Sequence, residues 1–435
     1  MSRIQLYFSV LPWWMWLIAL FACLAFLICF FALTPRNARI SVALAVMIVW
    51  IELGRWISLG LVQAFAKTTY ILPVIFVGCL ALISNSPKRR TSPLVLMIPI
   101  AGIIALIWII PRSTQIDLIL HLMQIVTCFS AIFVAKLCWS EEQTRRILMG
   151  LIIGYTITLL IPFSQLLINP GSAFAIGLNR FAPFKSNPNQ IGPIFIISCV
   201  FGVYLFLASE KPKMRFWGIG LLAASVSMGL LTGSRTVVYI QAMILIPAAF
   251  KIIKRPVLAV TGVFLIVVLV VVLIIQSAQS VQQTRLTNLQ TARFELQYNY
   301  LKNIMKNPLI GFGTMTAGEA SDEWVYGSHA HNSYLQSATF AGIPYTLILM
   351  TPSAIALFAG LRLWQIRRIY PDLSNRYFFA SVLLLGLLLV GLTTSLLYYP
   401  TFSASFMHTW LVAWLISSWQ SNRRNEPIEL SNHTY

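Results

Sequence analysis

Two histidines stand close together in this chain, His329 and His331, within the stretch GSHAHNSYLQSATFAG. His331 is followed by Asn332 and Ser333, and then by the apolar positions Tyr334, Leu335 and Ala338, so it sits at or just before a predicted helix start. The dipole of a helix N-terminus disfavours an imidazolium. The His331 ring is therefore expected to be neutral near pH 7 and able to take a proton from a hydroxyl, the task of a general base. The plainer alternative is a surface histidine beside a cap, because Asn332 or Ser333 is itself a good N-cap. An H-x-H pair with only Glu319, Asp322 and Glu323 nearby is a weak metal motif, and no metal ligand is assigned.

The second chemistry is cationic. Arg235 lies in LLTGSRTVVY, between two apolar runs with a minimal turn, and an arginine at that depth is costly unless something anionic or polar meets it. Arg293 lies in TARFELQYNY, and Arg180 and Lys185 lie in NRFAPFKSNPNQIG. Guanidinium groups match phosphate oxygens in bidentate fashion, so several aimed at one cavity would make a pyrophosphate site that needs no metal. The alternative for each is snorkelling to lipid headgroups. Asn187 and Asn189 default to turn residues around Pro188.

The elements that must position these residues are mostly greasy. The chain has 435 residues, 58% hydrophobic and 10% charged. A soluble domain carries about 25% charged residues, so this is expected to be an all-α polytopic membrane protein. Apolar runs begin near positions 12, 40, 69, 94, 116, 147, 191, 216, 236, 257, 343, 377 and 403. That predicts about 12–13 transmembrane helices across a bilayer core of about 30 Å. The first run is longer than a signal h-region and no A-x-A site follows it, so no cleavable signal is expected. All six cysteines lie in or at the ends of apolar runs, which gives neither a disulfide framework nor a zinc motif.

One long polar stretch interrupts this pattern. Residues 1–275 read as transmembrane helices and 276–342 as a loop. Residues 343–420 read as further transmembrane helices and 421–435 as a tail. Within the loop, the spacing predicts one helix over 285–307, with Leu286, Leu289, Phe294, Tyr298, Leu301 and Met305 on one face, and a second over 331–342. Between them NPLIGFGT is a turn: Pro308 ends the first helix, and Gly311 and Gly313 permit a sharp path.

A net charge of +19 would suggest nucleic acid in a soluble protein. Here the Lys and Arg residues concentrate in alternate connectors, among them TPRNAR, SPKRR and SEKPKMR, as cytoplasmic loops do, and no nucleic-acid partner is expected. The tail is then cytoplasmic and the 276–342 loop faces the outer side. The run at 40–60 carries Glu52 and Arg55; if it is re-entrant, or if two runs form one broken helix, both termini come inside. A structural salt bridge one helical turn long is the expectation for that pair.

The GSR turn, the F-x-x-NPN-Q-x-G pattern before it, and the loop reading N-P-L-I-G-F-G followed by H-N-S-Y-L-Q-x-x-x-x-A-G-I-P together resemble the bacterial O-antigen ligase and polymerase superfamily. The resemblance runs over about residues 180–345. It implies a membrane-embedded glycosyltransferase of the C type in the bacterial inner membrane, working on the periplasmic face. The implied donor is a glycan on undecaprenyl pyrophosphate, with inversion at the anomeric centre and with no cofactor and no metal. The family's loop histidine maps onto His331 and its arginines onto Arg235 and Arg293. Arg180, Lys185, Asn189, Gly311, Gly313 and Asn332 are the expected substrate-binding positions. The acceptor divides the functions. A ligase uses lipid A-core, a polymerase another lipid-linked repeat of O-antigen or exopolysaccharide, and a third branch protein side chains. The sequence favours the ligase. Outside the class the rival is a lipid-linked glycan transporter or flippase, which would usually carry internal repeats and binding residues at mid-membrane.

Overall fold

The computed structural model describes residues 14, 21, 25, 28–84, 91–113, 115–175, 180–209, 211–252, 292–313, 331–366, 371–394, 397 and 403–423. The first half of the described chain contains α1 (Arg39–Leu53), α2 (Leu61–Thr69), α3 (Ile71–Ile83), α4 (Pro93–Ile109), α5 (Gln115–Lys136) and α6 (Glu141–Ile168). A two-residue hairpin follows, with β1 (Phe174–Ala175) antiparallel to β2 (Arg180–Phe181). Then come α7 (Pro188–Ala208), α8 (Pro212–Leu231), α9 (Arg235–Ile252), α10 (Ala292–Lys306), α11 (Ser333–Ala341), α12 (Ile343–Ile366), α13 (Pro371–Gly391) and α14 (Ser403–Arg423).

This is an all-α polytopic membrane protein. Among the described residues six helices are long and apolar enough to cross a bilayer, or seven if α2 and α3, bent by 42° to each other, count as one span. Eleven of the apolar runs, those near 40, 69, 94, 116, 147, 191, 216, 236, 343, 377 and 403, fall on helices. The run near 257 lies outside the described residues, as does most of the run near 12.

Local signals set the helix starts. Ser140 caps α6, accepting from the Gln143 amide at 3.2 Å, and Glu141 and Glu142 occupy the positive first turn. Asn187 caps α7, accepting from the Asn189 amide at 3.0 Å, and Pro188 supplies the first helical position. Between spans there is little hydrophobic drive, so close packing decides which helices pair. At the α7–α8 contact Gly202 and Gly218 face each other. A Cβ on Gly202 would lie 2.8 Å from the Leu222 nitrogen, and one on Gly218 would lie 2.7 Å from that of Phe206.

Helix α14 is the internal post of the bundle. Its sequence is too polar to pass as a simple lipid-facing span, yet nearly every residue is buried. Its polar groups are met by neighbouring helices. Gln124 on α5 donates to Ser405 Oγ at 2.9 Å, and Ser353 Oγ on α12 lies 2.9 Å from His408 Nε2. Tyr155 on α6 donates to Ser403 Oγ at 2.8 Å. Polar residues in a membrane bundle are tolerated where protein supplies their partners.

Hydrogen bonds sort the connectors into two ends. At one end Ser41 Oγ donates to the Arg146 carbonyl at 2.8 Å, Arg376 pairs with Glu141 at 2.9 Å, and Gln420 donates to Ser92 at 2.8 Å. At the other end Arg180 reaches the Thr232 carbonyl, Ser113 the Gly313 carbonyl, and Ser333 the Thr394 carbonyl. The described basic connectors around Asn37, Arg146 and Arg376 share the first end, whereas SPKRR lies outside the described residues. Arg180, Lys185, Arg235 and His331 share the second.

Candidate functional site

At the second end, the site is built on two hydrogen-bonded groups. The first surrounds Arg180, only 9% exposed. Its Nε donates to the Thr232 carbonyl at 2.6 Å and its Nη2 to Asn189 Oδ1 at 3.0 Å. A guanidinium taken out of water needs acceptors of this kind, and these two belong to different helices. Thr232 is the C-cap of α8, and Asn189 lies in the first turn of α7. Snorkelling to headgroups is therefore excluded for Arg180. Lys185, by contrast, is exposed.

Arg235 is the first residue of α9, half-buried, and it leaves the Thr232–Gly233–Ser234 turn directly. That turn is held internally. Thr232 Oγ1 donates to the Gly229 carbonyl at 2.6 Å and accepts from the Ser234 amide at 3.2 Å. Gly233 takes a left-handed φ of 59°. Arg180 thus braces from outside the turn that carries Arg235.

The second group surrounds His331. Asn332 is the N-cap of α11, its side chain accepting from the amides of Tyr334 at 2.9 Å and Leu335 at 3.1 Å. Those amides are consumed by the cap. His331, just before it, is half-buried with φ 49°. The non-glycine residues with left-handed φ among those described are Phe184, Lys185 and His331. Such backbone costs roughly 1–3 kcal/mol per residue and gathers where a site over-determines the chain. All three fall in the two loops singled out by chemistry.

The turn at Pro308–Gly313 is stapled to the far end of α11. The Phe312 amide donates to the Thr339 carbonyl at 2.7 Å, the Gly313 amide to Phe340 at 2.9 Å, and the Ile343 amide to Pro308 at 2.7 Å. Gly311 has φ 62°, and a Cβ there would lie 2.6 Å from the Thr339 oxygen. Gly313 has φ 76° and is backed by Ser113, whose Oγ donates to its carbonyl at 2.6 Å. The glycines thus shape the path rather than offer side-chain chemistry.

Helix α13 connects the groups. Its C-terminal end accepts from Tyr334 at the Leu388 carbonyl, 2.9 Å, and from Ser333 at the Thr394 carbonyl, 2.7 Å, just beyond the helix. Its Gly386 faces Ile240 of α9 and Ile196 of α7. Burial pushes the Tyr334 phenol up to about 12, so it stays a neutral donor at any working pH.

Helix α10 forms over Ala292–Lys306 of the predicted 285–307, residues 285–291 lying outside the described residues, but its described part packs on a different face. Tyr300, Asn303 and Ile304 are buried, whereas Tyr298, Leu301 and Met305 of the expected apolar stripe are 58%, 49% and 69% exposed. A helix at the edge of a membrane bundle can turn an apolar face away from protein, so the stripe alone does not identify the packed side. Arg293 occupies the second position of α10. His329, Glu319, Asp322 and Glu323 lie outside the described residues. Among the described residues no three His, Cys, Asp or Glu side chains gather as metal donors.

The family model described as O-Antigen ligase matches residues 219–350. Over that segment the chain is similar to the O-antigen ligase family. The matched segment holds Arg235, Arg293, the Pro308–Gly313 turn, His331 and Asn332; Arg180, Lys185 and Asn189 precede it. No curated protein matches the chain. Within the matched segment, the two halves of the loop motif are one physical unit: the glycine turn bonds to the end of the helix that His331 precedes. Sequence reasoning missed Thr232 and Ser113, because both contribute ordinary backbone or hydroxyl contacts that no residue pattern marks.

Proposed function

We propose that this chain is a member of the O-antigen ligase and polymerase superfamily, an inner-membrane glycosyltransferase whose site faces the periplasm. It takes a glycan from undecaprenyl pyrophosphate and transfers it to lipid A-core, as an O-antigen ligase does. The observation that carries this is the family match over the segment in which Arg235 and the His331 helix share one end of the bundle.

The reaction follows from the groups. The acceptor hydroxyl oxygen attacks the anomeric carbon from the side opposite the pyrophosphate. The bond from that carbon to the phosphate oxygen breaks, and the electron pair leaves with undecaprenyl pyrophosphate, so the anomeric centre inverts. His331 accepts the hydroxyl proton. Arg235 and Arg293 meet the charge that grows on the leaving pyrophosphate, and cations fixed in a water-poor site stabilise it strongly. Lys185 and Asn332 border the glycan, while Arg180, Asn189, Gly311 and Gly313 hold the frame. The lipid-facing flanks of the spans accommodate the polyprenyl tail. Residues 276–342 form the outer catalytic loop and 421–435 the cytoplasmic tail.

The test is reconstitution of purified protein with undecaprenyl-pyrophosphate-linked glycan, with and without lipid A-core, read by gel shift. Product that requires lipid A-core supports the ligase. Longer lipid-linked chains made without it would make the protein a polymerase. Absence of any glycan transfer would remove the transferase assignment.

A further inference from the structure

Glu52 and Arg55 take no part in the chemistry above, yet they form the most deeply buried ion pair among the described residues, Glu52 0% and Arg55 8% exposed. Their nitrogen and oxygen lie 2.7 Å apart, one helical turn along the end of α1. The other carboxylate oxygen accepts from the Ser403 amide at 3.3 Å and from the Ser403 hydroxyl. Ser403 Oγ in turn accepts from Tyr155 at 2.8 Å. One carboxylate therefore ties α1 to α14 and α6. Arg55 Nη1 donates to the Gln190 carbonyl in the first turn of α7. Trp56, wholly buried, packs edge-on against Phe184 at 5.6 Å, next to the exposed Lys185.

Gln190 is adjacent to Asn189, and Asn189 holds Arg180, which holds the Thr232 turn that launches Arg235. The bonds thus run unbroken from the core of the bundle to the cation of the site. A free-standing ion pair this deep is weak evidence of stability, since apolar residues of similar volume often serve as well. Its value lies in what it spans: the one guanidinium sits in an ion pair with Glu52 through Nε and donates to the Gln190 carbonyl through Nη1.

We propose that Glu52 and Arg55 are positioning residues: they lock the first turn of α7 to α1 and α14, and through Asn189 and Arg180 they set where Arg235 stands for a pyrophosphate. This rests on the proposed role of Arg235. Removing one partner would bury a lone charge, so the variant to make is the paired replacement Glu52→Gln with Arg55→Met. Binding of farnesyl pyrophosphate to the full-length protein in detergent is measured by calorimetry, in wild-type, Arg235→Ala and Lys306→Ala backgrounds, alongside thermal midpoints.

The expected result is binding weaker by about tenfold in the wild-type and Lys306→Ala backgrounds and little further loss once Arg235 is alanine, the signature of residues acting through one another. Should the paired variant not fold, Arg55→Lys carries the test by the same criteria, because an ammonium keeps the charge beside Glu52 but gives up the fork to Gln190. Unchanged binding in a folded variant overturns the proposal. So does a loss that persists in full without Arg235. Wild-type protein that does not bind farnesyl pyrophosphate at all sinks the pyrophosphate role itself and this inference with it.

Discussion

At the scale of single residues, three side chains are predicted to have separable effects. His331→Ala removes the proton acceptor and is expected to lower the transfer rate by about 10²–10⁴-fold while leaving donor binding in place, as measured by initial rates against a binding titration. Arg235→Ala is expected to cost about 10²–10³-fold in rate, and Arg235→Lys to recover only part of it, because one ammonium cannot bridge phosphate oxygens as a guanidinium does. Arg180→Met acts differently. It leaves the Thr232 carbonyl and Asn189 without their buried donor, so both the thermal midpoint and the rate should fall; a fall in rate alone would argue for direct substrate contact. The places of His331 before a helix cap and of Arg235 in a minimal turn between spans were legible in the sequence, because Asn332 is a good N-cap and GSR interrupts two apolar runs. The bracing role of Arg180 was not, since a substrate arginine and a structural arginine have the same spelling, and only its acceptors tell them apart.

At the scale of elements, the tightest claims concern backbone. Gly311→Ala forces a side chain onto φ 62° and against the Thr339 oxygen, so it should destabilise the protein by roughly 1–3 kcal/mol and displace α11, with loss of transfer. Gly202→Leu at the α7–α8 contact should reduce the thermal midpoint through overpacking of about 1–3 kcal/mol, with the remaining folded fraction still active. Normal activity per folded molecule in the first variant, or its loss in the second, would contradict the division between site frame and bundle. The sequence made the α10–turn–α11 order plain, because proline, two glycines and an Asn cap punctuate it. It did not reveal which face of α10 packs. Apolar spacing marks a stripe, and at the rim of a membrane bundle a stripe has more than one apolar environment to face.

At the scale of the whole molecule, alternating charge in the connectors predicts two distinct ends of the bundle, because each span reverses the chain and basic loops stay on the cytoplasmic side. The composition alone established the membrane class. Helix α14 was found as an apolar run, but its role as the internal post was not apparent, because its serines, threonine and histidine are met by partners on α5, α6 and α12 that lie far away in sequence. The Glu52–Arg55 pair was legible as an ion pair one turn long; its link to α7 depends on a backbone carbonyl that no sequence pattern specifies. The account as a whole makes one reaction its centre: cleavage of the bond between glycan and undecaprenyl pyrophosphate with proton transfer to His331. The most direct test is a single-turnover assay with purified wild-type protein and His331→Ala, matched for thermal midpoint, supplied with undecaprenyl-pyrophosphate-linked glycan and lipid A-core. Release of undecaprenyl pyrophosphate and glycan joined to acceptor are followed together. The account predicts equal amounts of both from wild type and a loss of at least about 10²-fold in His331→Ala. Wild-type rates in the folded mutant would contradict it.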